Sequence, residues 1–161
     1  WYAGNFALLD RRVLAAALSP RFAEDKTALI GTETGVFLST NGGRSWQVAD
    51  LPYLAATSVA FTADGTAYAG TDGDGLYVSA DAGQRWERAT LDTTLSLSMV
   101  MVGEANALLA LTDNTLYASS DAGETWQQRA LPAPVTAAVL SGSRQVLLGY
   151  ADGGFGKLDF G

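Results

Sequence analysis

Ser119-Ser-Asp-Ala-Gly-Glu-Thr-Trp126 decides the fold, because the chain says it three times. The earlier copies are Ser39-Thr-Asn-Gly-Gly-Arg-Ser-Trp46 and Ser79-Ala-Asp-Ala-Gly-Gln-Arg-Trp86, so the closing tryptophans recur every 40 residues. A fixed period of this length marks a stacked array of one supersecondary unit. The phrase itself is turn chemistry. Ser, Asp and Asn carry short side chains that bond nearby backbone N–H groups, and Gly43, Gly83 and Gly123 supply a positive φ that other residues resist. Each Trp is expected to anchor its turn by burying the ring. On this reading Ser39, Asn41, Gly43, Trp46, Ser79, Asp81, Gly83, Trp86, Ser119, Asp121, Gly123 and Trp126 hold the fold and carry no function of their own.

Working outward, the second unit is the cleanest. Ser58–Thr62 alternates as a strand does and runs into Asp64-Gly65, a strong hairpin signal. Thr66–Gly70 follows, then the turn Thr71–Gly75, then Leu76–Ser79, the phrase, and Trp86–Arg88. This makes four short strands, a to d, joined by hairpin turns. The first unit repeats it with Val13–Ser19, Thr27–Gly31, Val36–Thr40 and Trp46–Ala49. The third repeats it with Leu95–Val102, Ala107–Leu111, Leu116–Ser120 and Trp126–Arg129. The fourth offers Val135–Leu140, Val146–Tyr150 and Phe155–Asp159, and no strand d.

Four-stranded antiparallel units in series predict an all-β fold, a β-propeller of about four blades. The strands a are almost continuously apolar, as in Val13-Leu-Ala-Ala-Ala-Leu18 and Met99-Val-Met-Val102, which predicts innermost strands buried on both faces. The units span about 6–50, 51–90, 91–130 and 131–161 of a single domain, 1–161. Trp1 lies 45 residues before Trp46, so 1–5 reads as the outer strand of a preceding or closing blade. Two closures follow: a four-bladed ring, or a segment of a larger ring completed by further blades or by self-association. Trp1 begins in the middle of a phrase, which favours the larger ring.

Composition narrows the function. The net charge is −7 and Lys26 and Lys157 are the only lysines among 161 residues. No basic patch can form, which argues against nucleic acid and anionic membranes as partners. There is no His and no Cys. That removes imidazole acid–base catalysis, thiolate chemistry, disulfides and the usual zinc ligand sets. No cofactor or metal centre is expected, and no run of about eighteen apolar residues proposes a membrane span.

The pattern Ser-x-Asp-x-Gly-x-Thr-Trp resembles the Asp-box, or bacterial neuraminidase repeat. Ser119–Trp126 fits it in full, Ser79–Trp86 has Arg85 for the Thr, and Ser39–Trp46 has Asn41 for the Asp and Ser45 for the Thr. The resemblance covers essentially the whole chain. It implies a propeller of the broad set that includes sialidases, xyloglucan-degrading glycosidases, sortilin-type receptors and photosystem II assembly factors. It also implies that the phrases lie on the periphery, away from the ligand-binding face, and that the protein resides in the cell envelope or outside the cell. Sialidases of this kind carry an Arg-Ile-Pro motif. Ile30 is the only Ile here and follows Leu29, so the motif is absent and catalysis is disfavoured.

One constellation remains. Every b–c turn holds an acid: Glu33, Asp72 with Asp74, Asp113, and Asp152. In a propeller the b–c turns and d–a connections share one face, so these carboxylates are expected as a loose ring that attracts a cation or a basic partner segment. The plainer reading is that Asp and Gly are what tight turns use. Asp72-Gly-Asp-Gly75 also hints at a calcium loop but lacks the length and the distant Glu of an EF-hand. Tyr53, on a d–a connection, is a candidate contact for a sugar or peptide. The expected function is therefore a non-catalytic binding or assembly module for a protein or glycan partner. The alternatives are a segment of a sialidase-like or other glycoside hydrolase, and a structural subunit of a larger envelope or photosynthetic complex.

Overall fold

A computed structural model describes residues 8, 12–52, 54–91, 94, 96–105, 107–142 and 145–160. Four antiparallel sheets follow one another along the chain. The first holds β1 (Val13–Leu18), β2 (Ala28–Thr32), β3 (Gly35–Ser39) and β4 (Gln47–Val48). The second holds β5 (Ala56–Phe61), β6 (Ala67–Thr71), β7 (Leu76–Ser79) and β8 (Glu87–Arg88). The third holds β9 (Met99–Val102), β10 (Leu108–Leu111), β11 (Thr115–Ser119) and β12 (Gln127–Ala130). The fourth holds β13 (Val135–Ser141), β14 (Gln145–Tyr150) and β15 (Phe155–Asp159). Each sheet is a meander in chain order, as hairpin turns at every connection require. The helical turn α1 (Phe22–Asp25) fills the long first a–b loop, 20–26.

The ladder registers make the sheets superimposable residue by residue. Leu29, Tyr68, Leu109 and Leu147 share one rung, each flanked by a strand-a and a strand-c partner. The next rung pairs Gly31 with Val36, Gly70 with Leu76, Leu111 with Leu116, and Gly149 with Phe155. Side chains alternate across a sheet, so these rungs define one face of each sheet, the front, which packs on the next sheet. Strands a of the first, second and fourth sheets bulge after their first pair. In the bulge the hydroxyls of Thr57 and Thr136 donate to the Gly70 and Gly149 carbonyls at 3.1 and 3.3 Å, and Ser98 does the same to Leu111 at 3.2 Å. A bulge sharpens the local twist, which suits strands converging on an axis.

Three apolar clusters fill the three junctions. Leu29 and Leu38 meet Ala56 and Val59, Tyr68 and Leu76 meet Leu97 and Val100, and Leu109 and Leu111 meet Val146 and Leu148. The junctions run strand a to strand a, with β1 against β5, β5 against β9 and β9 against β13. Among the described residues no junction of this kind joins the fourth sheet to the first. The described residues thus form an open arc of a propeller.

That openness corrects one expectation. Strands a were expected to be buried on both faces, yet β1 and β13 are largely exposed. Among the described residues each lacks one flanking sheet, which apolar composition alone cannot reveal. Trp46, Trp86 and Trp126 are half-buried, and Trp86 and Trp126 pack against the first and second apolar clusters. The outer strands begin one residue after each Trp, and the third strand a runs from Met99, with Leu95 outside the described residues. The proposed outer strand at 1–5 also lies outside them.

Candidate functional site

The two ends of each sheet differ in chemistry. At one end sit the phrases. Ser39, Ser79 and Ser119 each accept the N–H of the glycine four residues on, at 2.8–2.9 Å, and donate their hydroxyl to Asn41, Asp81 or Asp121 at 2.7–3.0 Å. The Asn or Asp oxygen then accepts N–H groups across the turn, from Arg44 and Ser45, Gln84 and Arg85, and Thr125, at 2.8–3.0 Å. Trp86 and Trp126 close the turn through Nε1–H to the Gly83 and Gly123 carbonyls at 3.0 Å. The Ser and Asn or Asp side chains of the turn are thus spent on local backbone bonds. The Thr125 hydroxyl, the Thr125 N–H and the Ser119 hydroxyl together hold the Asp121 carboxyl down to about 2. Asp81 is lowered chiefly by the Arg85 N–H.

The phrases also reach sideways. The Tyr68 hydroxyl donates to the Ala122 carbonyl of the next phrase at 3.0 Å, and the Thr90 hydroxyl bonds the Gly123 carbonyl. Burial, foremost, pushes the Tyr68 phenol up, which keeps it a donor.

The other end carries the b–c turns, and there the candidate acids separate into two kinds. Glu33 is exposed in an ion pair with Arg12 at 2.7 Å. Asp74 takes the Tyr77 hydroxyl and the Arg88 guanidinium, which lies 5.9 Å from the Tyr77 ring centroid. Its charge is neutralised beside strands c and d of its own sheet. Asp72 accepts the Ser96 hydroxyl from the connection to the third sheet. Asp113 is exposed on its turn, and Asp152 is exposed while capping the Gly154 N–H at 3.0 Å. The acids occupy corresponding turns of consecutive sheets and do not converge. Among the described residues no three His, Cys, Asp or Glu side chains gather closely enough to hold a metal ion. Tyr53 lies outside the described residues.

Backbone bonds stitch this end together. The Asp72 N–H donates to the Ala55 carbonyl at 2.9 Å, Leu131 to Asn114 at 2.8 Å, and Ala151 to Pro134 at 2.9 Å. Each ties a b–c turn to a d–a connection. Buried threonines that the sequence reading passed over fix the turns: Thr32 and Thr71 donate to the Gly35 and Gly75 carbonyls at 3.0 and 2.8 Å. Their signal was present, since Thr32, Thr71 and Thr112 each stand three to five residues before the next strand c.

Clefts lie elsewhere. One of about 290 Å³ runs between Gln127–Arg129 and Leu158–Phe160, and another of about 380 Å³ lies on the fourth sheet between Val139, Leu147 and Phe155. A third, of about 490 Å³, sits by Phe22, Lys26 and Arg44. None of these is lined by the b–c acids.

A family model described as the photosynthesis system II assembly factor YCF48 matches residues 9–155. Among solved structures the chain is similar to a YCF48 bound to a D1 peptide, at 18% identity and TM-score 0.69, over 93% of this chain and 52% of that one. It is likewise similar to YCF48 from Cyanidioschyzon merolae, at 15% identity and TM-score 0.72, over 93% and 53%. An ancestral GH74 enzyme matches at 22% identity and TM-score 0.77, over 92% of this chain and 23% of the enzyme. The chain thus spans about half of the two YCF48 chains and under a quarter of the enzyme. At these identities the likeness shows the propeller fold alone. No curated protein matches the chain.

Proposed function

This chain belongs to the family of the photosynthesis system II assembly factor YCF48, and from that premise we propose that it is a non-catalytic binding module whose b–c end receives a segment of a protein partner. The observation that carries the reading is the placement of Glu33, Asp72, Asp113 and Asp152 on corresponding turns of four consecutive sheets. The turns of Asp72, Asp113 and Asp152 are tied by backbone bonds to the neighbouring connections, so these three carboxylates stand on rigid supports. Groups held this way lose little freedom when a partner arrives. With a net charge of −7, the field at that end favours a basic segment and speeds its encounter. A peptide is the ligand of one similar YCF48 structure, which is bound to a D1 peptide. That supports a protein partner. A glycan partner rested on Tyr53, which the described residues do not include.

The test is a fluorescence-anisotropy titration of a labelled D1 peptide, and of a Lys/Arg-rich peptide, against the chain and its Asp72→Lys, Asp113→Lys, Asp152→Lys triple variant. Binding that weakens by about tenfold or more in the variant, and weakens with added salt, is the expected result. Equal affinity of the two proteins would overturn the assignment of the b–c end. Absence of binding of either peptide to the wild type would overturn the peptide reading.

A further inference from the structure

We propose that Asn41 is a self-modifying site: its side-chain amide hydrolyses after attack by the Gly42 backbone nitrogen, and the aspartate so formed completes the first phrase. Asn41-Gly42 is the only Asn-Gly pair in the chain. Glycine has no side chain to shield its nitrogen or restrict its backbone, so this pair closes a cyclic imide more readily than any other Asn pair. The corresponding position of the other two phrases is a carboxylate, Asp81 and Asp121. The first phrase alone holds an amide there.

The turn keeps that amide polarised in the sense the reaction needs. Asn41 Oδ1 accepts three donors, the Ser39 hydroxyl and the Arg44 and Ser45 N–H groups, each at 3.0 Å. Negative charge gathers on this oxygen as a nitrogen adds to Cγ, and donors already aimed at such a point stabilise the charge. Asn41 and Gly42 are exposed, and with Lys26 and Arg44 they line an open hollow of about 490 Å³. The hollow admits the water that the reaction consumes, and its two cations favour the anion it leaves. The Gly42 N–H donates to the Lys26 carbonyl at 2.9 Å, so attack waits on the opening of that one bond.

The atoms balance with water as the one co-reactant. The Gly42 nitrogen bonds to Asn41 Cγ, and Nδ2 leaves as ammonia, taking up the proton that Gly42 gives up. Water then opens the imide. Its hydroxyl adds to Cγ, a proton returns to the Gly42 nitrogen, and the main chain is restored with a carboxylate in place of the amide.

The product suits the turn better than the reactant does. In the third phrase the Thr125 hydroxyl donates to the second Asp121 oxygen at 2.5 Å, and chiefly through that bond the carboxyl is held down to about 2. In the first phrase the equivalent Ser45 hydroxyl accepts from Asn41 Nδ2 at 2.7 Å. A hydroxyl rotates to suit its partner, so Ser45 turns from acceptor to donor once oxygen replaces Nδ2. Donors bond a carboxylate more strongly than an amide oxygen, so the conversion tightens the turn between β3 and β4.

Peptide mapping by mass spectrometry tests this on the folded chain held at mildly alkaline pH, with a urea-unfolded sample alongside. Asn41 is expected to become the acid about tenfold or more faster than Asn114 of the same chain, whose following Thr115 is β-branched and crowds the attacking nitrogen. Ordinary aspartate is expected as the main product. Asn41 left intact in the folded chain while the unfolded chain converts would overturn the proposal. A product that is chiefly isoaspartate, with the main chain rerouted through Cγ, would overturn it too, because that chain no longer fits the phrase. The Asn41→Asp variant gives a separate reading. It is expected to melt above the wild type, and a melting temperature at or below that of the wild type would overturn the claim that the acid completes the turn.

Discussion

The carbonyl oxygen of Ala56 occupies the space beside Gly31, 2.3 Å from where a Cβ would stand. At this rung the first two sheets therefore approach too closely for any side chain at Gly31. Gly31→Ala must push β5 away from β2. Overpacking of this kind costs about 1–3 kcal/mol. Gly149→Ala, at the equivalent rung of the fourth sheet, meets no neighbouring sheet in the single chain. It is expected to leave dilute protein unchanged or slightly more stable, since Ala restricts the unfolded chain. Chemical denaturation of the two variants checks the contrast, and equal losses would contradict it.

Tyr68 and Ala122 give a second test. The phenol donates across a sheet junction to the carbonyl of a residue at φ 59, a backbone region that non-glycine residues enter at a cost. Tyr68→Phe keeps the ring and deletes the bond. A loss of about 1 kcal/mol is expected in denaturant melts, with faster amide exchange confined to the third phrase. Unchanged exchange there would mean the bond does not hold that turn.

The phrase carboxylates set an acid dependence. The folded Asp121 carboxyl lies at about 2 against an ordinary 3.8, and Asp25, Asp64 and Asp81 are lowered too, Asp25 mainly by the Ser19 hydroxyl and Asp64 by that of Thr62. A depressed folded value means the stabilisation is fully present above the unfolded value and fades as pH falls through the folded one. The melting temperature is therefore expected to hold above about pH 5 and to fall between 3.8 and about 2. Asp121→Asn should lower stability at neutral pH and flatten that acid limb. A parallel limb in the variant would assign the dependence to other groups.

Thr71 is 2% exposed and its hydroxyl donates to the Gly75 carbonyl at 2.8 Å. Thr71→Val matches its shape and removes the donor, so a loss of about 1 kcal/mol is expected. If the b–c turn positions a binding surface, the same variant weakens peptide binding more than it weakens folding. Binding that follows stability alone would make Thr71 a purely structural residue.

Much of this architecture was legible. The spacing of Trp46, Trp86 and Trp126 fixes the period, and alternation together with Asp64-Gly65 places the strands, because both are local rules of backbone and turn. The phrase bonds were legible for the same reason, since Ser119 and Asp121 act within five residues of themselves. What the sequence withheld is relational. Val13 and Val59 read alike as inner-strand residues, and only the arc shows that one faces solvent. Asp74 and Asp113 both read as turn acids, but Arg88 reaches Asp74 through its own sheet and leaves Asp113 exposed. The hydroxyls of Thr57 and Thr136 in the strand-a bulges also went unread, because a bulge is visible only once the register is known.

The most direct measurement exploits the absence of Cys from the chain. Single thiols at Leu76→Cys, Leu116→Cys and Phe155→Cys report how covered each front is, through their rate of reaction with a maleimide. The account predicts that the Phe155→Cys thiol reacts fast, while the Leu76→Cys and Leu116→Cys thiols stay protected. A Phe155→Cys thiol as protected as Leu76→Cys would contradict it, because the front of the fourth sheet would then be covered from within a single chain.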